Sequence, residues 1–411
     1  MAAVSAVAAE FHTLKGHGGP IMGIAVSAAD GRVATASFDN SVGLWQRQKP
    51  EWLEAHEAAV NVVAFIDEHR LVSAGDDFSI LLWDQANRTH RRLGGHRGKV
   101  TDLAVSPDRS WIASASWDGS IGLWSAEGES LGFLNGHTAG VNALAISHDG
   151  RTLYSASVDG SIRLWDPARR VQRRRLLRHG FGVNEIILGG RASDGRAGWL
   201  AYGTVDGRVR VIDIDSAEPL RSFAPERGPV LSMAIAPGGE RIAWGDGQGH
   251  IVIVNTTSWR IERDFKAALR GPIWALRFSA DGESVLAGGI ENIVYSWPID
   301  ILGAFDPMTD SSPPFLKPAD EMSNGERQFA RKCSICHSLT DDAAACRADP
   351  ARHSGAACGQ RAGLSIFGYA TNLDHCVVGT DDRPLVRPRP RSFHPRQQDA
   401  DATHHPGWRP R

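Results

Sequence analysis

Short apolar runs and polar turns alternate along most of the chain. Residues 100–106 and 141–147 are strand-length, β-branched runs, and each is followed by a polar turn and a second run such as residues 152–157. Runs of this length bounded by turn residues predict β-strands. Asp-Gly pairs at 118–119, 159–160 and 206–207 predict tight hairpins. The first 300 residues are therefore expected to form an all-β structure.

The same pattern returns seven times. In each unit a polar residue, usually aspartate, precedes a tryptophan or aliphatic residue by six positions: Asp39…Trp45, Asp77…Trp83, Asp118…Trp124, Asp159…Trp165, Asp206…Ile212, Gln248…Val254 and Glu291…Trp297. The units are 38 to 47 residues apart, and four of them open with Gly-His or Ala-His, at 16–17, 55–56, 95–96 and 136–137. A period near 40 with short strands is typical of four-stranded propeller blades. Residues 10–300 are therefore predicted to form a seven-bladed β-propeller.

These motifs resemble those of the WD-repeat family, with Trp83-Asp84 and Trp165-Asp166 as the name-giving dipeptides. Units five to seven depart from the pattern, with Ile212-Asp213, Val254-Asn255 and Trp297-Pro298 in its place. The resemblance implies that the repeated His, Asp and Trp side chains hydrogen-bond to one another within each blade, rather than forming catalytic or metal sites. It also implies that residues 10–14 supply the outer strand of the last blade and so close the ring.

Composition adds little about partners but much about domains. The formal net charge is −2, which gives no bulk attraction to nucleic acid, and no apolar run is long enough to span a membrane. All five cysteines follow residue 332, so the thiols belong to a second unit. An arginine run at positions 169, 170, 173, 174, 175 and 178 has two interpretations: a docking patch for an acidic partner, or the solvated outer strand of a blade.

Residues 301–320 are predicted to be a Pro-rich linker, and the next domain is predicted at 321–382. It contains Cys333-Ser-Ile-Cys336-His337, the spacing of c-type haem attachment. Cys333 and Cys336 would form thioethers to one covalent haem c, and His337 would be the proximal iron ligand. A zinc site would want a second matching Cys/His pair, and a redox Cys-x-x-Cys would be expected near a βαβ unit.

The segment before the motif resembles the first helix of class I c-type cytochromes. Ser323 and Glu326 fit a capping box, and Gly325 and Phe329 precede Cys333 by eight and four residues. The family would place an axial methionine and a closing helix further on. All five methionines, however, precede the haem motif, and residues 383–411 have no helical periodicity. A small, incomplete α-helical cytochrome-like domain is therefore expected, followed by a disordered tail.

A shifted reading frame offers one explanation for the missing methionine. Residues 391–405 can be encoded so that the neighbouring frame reads Pro-Gly-Ser-Lys-Met-Pro, which resembles an axial-methionine loop. The hypothesis is that the native gene encodes a complete Met-ligated domain. Residues 1–9, which contain the small-x-small pattern Ala6-Val7-Ala8, are interpreted as a possible remnant of an export signal.

The sequence thus predicts a periplasmic or otherwise secreted electron carrier, whose propeller docks redox partner proteins. No nucleic acid and no transmembrane segment are expected. The alternative is a WD-repeat protein-interaction scaffold with a vestigial haem site. A propeller oxidoreductase ranks third, because it would need a second cofactor and the propeller contains no cysteine.

Overall fold

The alternation of short strands and turns folds into seven four-stranded antiparallel sheets. The computed structural model describes residues 10–191, 197–225 and 227–300. In each sheet the strands follow one another from the propeller axis outwards, and the first strands of neighbouring sheets pack against each other around the ring. The predicted seven-bladed all-β propeller is confirmed.

Blades 1 to 3 are each built from four strands that are consecutive in the chain. They are β2 (Ile21–Val26), β3 (Val33–Ser37), β4 (Ser41–Gln46) and β5 (Lys49–Glu54); β6 (Val60–Phe65), β7 (Arg70–Gly75), β8 (Ser79–Asp84) and β9 (Thr89–Gly95); and β10 (Val100–Val105), β11 (Trp111–Ser116), β12 (Ser120–Ser125) and β13 (Ser130–Asn135).

Blades 4 to 6 repeat this order. They are β14 (Val141–Ile146), β15 (Leu153–Ser157), β16 (Ser161–Asp166) and β17 (Val171–Arg178); β18 (Val183–Arg191), β19 (Ala197–Thr204), β20 (Val209–Asp213) and β21 (Pro219–Phe223); and β22 (Val230–Ile235), β23 (Arg241–Asp246), β24 (His250–Asn255) and β25 (Ile261–Lys266). The arginine run thus lies mainly on β17, the exposed outer strand of blade 4.

Blade 7 closes the ring with a strand from the N-terminal end of the propeller sequence. It contains β26 (Ile273–Phe278), β27 (Ser284–Gly289) and β28 (Ile293–Pro298), and its outer strand is β1 (His12–Lys15). β1 pairs antiparallel with β28, with Leu14 opposite Val294. Leu14 is buried with Val294 and Trp45 between blades 7 and 1. The predicted closing strand is confirmed, and it removes the sheet edge that an open ring would expose.

The apolar core is divided among the seams between blades. Seven clusters of buried side chains lie between neighbouring sheets, one for each seam. Each sheet therefore buries both faces. This explains why central strands such as β8 and β12 are apolar at successive positions rather than alternating.

The inner strands are also joined from blade to blade by side-chain hydrogen bonds. Each inner strand has a bulge between its first and third residues. In blades 2 to 5 the second residue donates to the carbonyl of the first residue of the next inner strand, at distances of 2.7–3.0 Å: Asn61 to Val100, Thr101 to Val141, Asn142 to Val183, and Asn184 to Val230. The bulge thus aims a polar side chain at the next blade.

Candidate interaction surface

A four-residue hydrogen-bond chain ties each of blades 1 to 4 together. In blade 4, His137 Nδ1 lies 2.9 Å from Asp159, His137 Nε2 lies 2.7 Å from Ser155 Oγ, and Trp165 Nε1 donates to the same Oγ at 2.8 Å. The same arrangement recurs with His17, Thr35, Asp39 and Trp45; His56, Ser73, Asp77 and Trp83; and His96, Ser114, Asp118 and Trp124.

The chain fixes the tautomer of each histidine. Because a carboxylate only accepts, Nδ1 carries the proton and donates to the aspartate, which leaves Nε2 to accept from the hydroxyl. Burial lowers the pKa of His96 and His137, and this loss outweighs the attraction of Asp118 and Asp159. Histidines in a closed set of hydrogen-bond partners hold blades 1 to 4 together and offer no free ring nitrogen for catalysis.

The aspartates of these chains are strongly stabilised as anions. Burial alone would raise the pKa of Asp159, but hydrogen bonds from Ser161, His137 and the Thr138 amide outweigh it and hold the pKa well below its usual range. The aspartate also caps its own turn, accepting from the Ser161 amide at 2.8 Å. The predicted role of the repeated His, Asp and Trp side chains is thus confirmed in these four blades.

Blades 5 to 7 lack the complete His–Ser/Thr–Asp–Trp hydrogen-bond series, as their divergent motifs indicated. Tyr202, Trp244 and Ala287 stand where blades 1 to 4 have the serine or threonine. In blade 5, His179 and Asp206 are 3.8 Å apart. In blade 6, Trp244 Nε1 and Asp246 Oδ2 are buried with no hydrogen-bond partner among the described residues. These blades keep the sheet but lose the shared polar network.

The loops at one end of the blades bring an equivalent position of six repeats to the rim of the propeller. In six blades one residue at the turn between the second and third strands donates a backbone hydrogen bond. Its amide donates to the carbonyl that precedes the inner strand of the same blade, at 2.8–3.2 Å. These residues, which we call the rim positions, are Phe38, Asp76, Trp117, Val158, Val205 and Gly247. The bond holds the rim residue over the entrance of its inner strand.

An exposed apolar surface runs along the rim of blades 3 to 5. Trp117 is 42% exposed, Val158 48%, Phe181 56% and Val205 51%. We call these four residues the apolar arc. Glycines join its members: the Gly140 carbonyl accepts from Val158, and a Cβ placed on Gly140 would lie 2.9 Å from the Trp117 ring.

Gly182 joins the next pair in the same way. A Cβ placed there would lie 3.4 Å from Val158 and 3.4 Å from the Val205 side chain, and its carbonyl accepts from Val205. Gly140 and Gly182 therefore lie between neighbouring members of the arc. Contiguous exposed apolar residues rimmed by polar groups mark interaction sites in soluble proteins.

Polar contacts hold Trp117, the largest member of the arc, in place. Its Nε1 donates to Asn142 Oδ1 at 3.1 Å, and Lys99 Nζ lies 3.4 Å from the ring centroid. Burial lowers the pKa of Lys99, while Asp76 opposes this change. The indole is thus presented in a fixed orientation, which reduces the entropy that a partner would have to remove on binding.

Three ionisable residues also act on one another across the inner strands of blades 3, 5 and 7. Burial raises the pKa of Asp102 to about 6 against hydrogen bonds from Leu144 and Leu103 and the charge of Arg277. Burial and the nearby Asp102 raise the pKa of Glu185, and Arg277 opposes this shift. Among the described residues no group of three or more His, Cys, Asp or Glu side chains is placed to hold a metal ion.

The predicted haem residues Cys333, Cys336 and His337 lie outside the described residues. Within the described ranges, no helix has the length and apolar character needed to cross a membrane. The apolar arc was missed in the sequence, although a signal for it exists. Several rim positions immediately before the repeated aspartate are apolar, where a turn would ordinarily carry a polar residue.

The sequence matches the family of the WD domain, G-beta repeat, at residues 9–46, 48–84, 87–125 and 128–166. The matched segments span blades 1 to 4, which carry the complete His–Ser/Thr–Asp–Trp chain. Four of the seven blades thus match the WD-repeat model, and the other three complete the ring with the same four-stranded sheet.

Segments of this chain are similar to segments of two proteins whose names describe a function. Ribosome assembly protein 4 of Chaetomium thermophilum is 38% identical over 74 residues, which are 17% of this chain and 14% of that protein. The tRNA (34-2'-O)-methyltransferase regulator WDR6 of Mus musculus is 29% identical over 110 residues, 24% of this chain and 10% of that protein. The chain therefore spans only a small part of either relative.

Proposed function

We propose that the propeller is a protein-interaction scaffold that docks a partner on the apolar arc. The exposure of four apolar side chains on the rim of three successive blades, Trp117, Val158, Phe181 and Val205, carries this proposal. Aromatic residues in a fixed orientation are the usual energetic anchors of protein interfaces. The names of the two similar proteins, an assembly factor and an enzyme regulator, fit a role in which a propeller holds other macromolecules.

The structure of blades 1 to 4 supports a scaffold more than a catalyst. Their repeated histidines and aspartates are consumed in hydrogen bonds within the blade. A general base or nucleophile would need a polar group free to face a substrate. The apolar arc instead exposes apolar side chains, which a partner protein could bury on binding.

Photo-crosslinking from the arc tests this proposal. With a photoreactive phenylalanine analogue at Val158 in the full chain, irradiation of native cells is expected to give a discrete protein adduct. The same analogue at Ile261, which is 53% exposed on the outer strand of blade 6, serves as the control. The adduct should disappear when Phe181→Ser is added. Equal labelling from both positions, or no adduct from Val158, would contradict the proposal.

We also propose, from the sequence motif alone, that Cys333 and Cys336 would bind one haem c covalently and that His337 would ligate its iron. The chain would then be an exported electron carrier, with the propeller docking its redox partner proteins. The support is the spacing Cys333-Ser-Ile-Cys336-His337 and the capping box at Ser323. A pyridine haemochrome spectrum of protein made with a c-type maturation system decides it. Absence of the haem c absorbance would leave the motif vestigial and the scaffold as the function.

A further inference from the structure

A second binding surface lies at the seam of blades 3 and 4, away from the loops that form the rim. A cavity of about 430 Å³ opens there between the outer strands of blade 3 and two turns of blade 4. Its apolar side is formed by Trp111, Leu123, Leu131, Pro167 and Ala168. Leu131 is 40% exposed, so this apolar surface is open to solvent. We call this cavity the seam groove.

Arginines form the other side of the seam groove. Arg151, Arg169 and Arg173 line it together with one carboxylate, Asp166. Arg173 is committed to Asp166 by a hydrogen bond of 2.9 Å. Neither Arg151 nor Arg169 donates a side-chain hydrogen bond to any residue within the described ranges, and both are exposed. Both guanidinium groups are thus exposed beside the apolar floor, where Asp149 attracts Arg151 and Asp166 attracts Arg169 through charge without a side-chain hydrogen bond.

The corresponding seam of blades 1 and 2 shows that this charge is a local feature. The cavity there has a volume of about 220 Å³ and is lined by Glu51, Glu54, Asp84 and Arg88. The turn of blade 2 has Asn87 where blade 4 has Arg169, and Asn87 donates to Asp84 at 2.7 Å. The two seams therefore present opposite net charges on similar frameworks.

We propose that the seam groove binds an acidic peptide segment of a partner protein, with carboxylates on Arg151 and Arg169 and an apolar side chain on the floor. Arginine binds carboxylates through paired hydrogen bonds, which are stronger than neutral ones. The apolar floor would add affinity that a purely ionic contact lacks. A nucleic acid would want a broad basic surface, whereas this chain has a net charge of −2 and the groove includes Asp166.

This inference rests on the proposed scaffold function but uses a surface that shares no residue with the apolar arc. The two can therefore fail separately. Loss of binding in Phe181→Ser but not in groove variants assigns the partner to the arc. The reverse result assigns it to the groove.

The test uses the full chain and a fluorescein-labelled peptide, Asp-Glu-Leu-Asp-Glu-Leu, followed by fluorescence anisotropy. The double variant Arg151→Gln with Arg169→Gln is expected to weaken binding at least tenfold, or about 1.4 kcal/mol. The control is the double variant Arg175→Gln with Arg178→Gln. It also removes two positive charges, from the part of the arginine run that lies outside the groove, and it should change binding less than threefold. Thermal melting confirms that both double variants remain folded.

Four results would overturn the proposal. They are no binding of the peptide to the wild-type chain, equal losses in the two double variants, equal binding of a peptide with alanine in place of leucine, and displacement of the peptide by single-stranded RNA with higher affinity. The last result would assign the groove to nucleic acid instead.

Discussion

Removing one hydroxyl from the hydrogen-bond chain of blade 4 should destabilise the propeller far more than an ordinary Ser→Ala change. Ser155 Oγ accepts from Trp165 Nε1 at 2.8 Å and lies 2.7 Å from His137 Nε2. Trp165 is 1% exposed and Ser155 is fully buried, so water cannot replace the lost partner. Each buried group left unsatisfied costs about 1–3 kcal/mol. Trp165 Nε1 and His137 Nε2 both lose their partner, so Ser155→Ala should lower the free energy of unfolding by about 2–6 kcal/mol.

Urea denaturation followed by tryptophan fluorescence measures this loss. Ser130→Ala is the control, because Ser130 is exposed on β13, and it should change the unfolding free energy by less than about 0.5 kcal/mol. Ser155→Thr keeps the hydroxyl, as Thr35 does in blade 1, and should retain most of the stability. A loss in Ser155→Ala no larger than in Ser130→Ala would refute the reasoning. An equal loss in Ser155→Thr would show that volume, not hydrogen bonding, decides.

Two further predictions concern the inner strands and the closing strand. Burial raises the pKa of Asp102 to about 6, so its contribution to stability is present below pH 4 and is lost as the pH rises through 6. Asp102→Asn should therefore reduce the fall in unfolding free energy between pH 4 and 7, to which the neighbouring Glu185 also contributes, and an unchanged pH profile would contradict the shift. Leu14→Asp places a charge in the buried seam of blades 7 and 1, and should cost more than about 3 kcal/mol and speed amide exchange in β28. Slow exchange in that variant would show that β1 is dispensable for closure.

Most of the propeller could be predicted from the sequence because each blade repeats the same strand lengths, turns and Asp…Trp spacing. The Asp-Gly turns fix the hairpins. Their glycines adopt left-handed φ angles of 85° at Gly119, 76° at Gly160 and 82° at Gly207. The need to cover a sheet edge indicated that the ring closes, and the family resemblance implied that residues 10–14 supply the closing strand. The hydroxyl of each polar chain could also have been found, since it precedes the tryptophan by ten residues in blades 1 to 4.

The surfaces were harder to predict because they depend on which loops meet. The arc joins residues of three blades whose positions are set by inter-strand register, and the glycines at 140 and 182 lie close to its members. The arginine run was identified in the sequence, but Arg151 comes from a different turn and joins Arg169 only in the folded blade. The haem residues Cys333, Cys336 and His337 stay a prediction from the motif.

Affinity for the protein captured from Val158 tests the central claim, docking on the apolar arc, most directly. Isothermal titration with the full chain should give a dissociation constant at least tenfold weaker for Trp117→Ser and for Phe181→Ser than for wild type. Ile261→Ser, which removes a similarly exposed apolar side chain from blade 6, should leave the constant unchanged. Equal affinities for all four proteins would contradict docking on the arc.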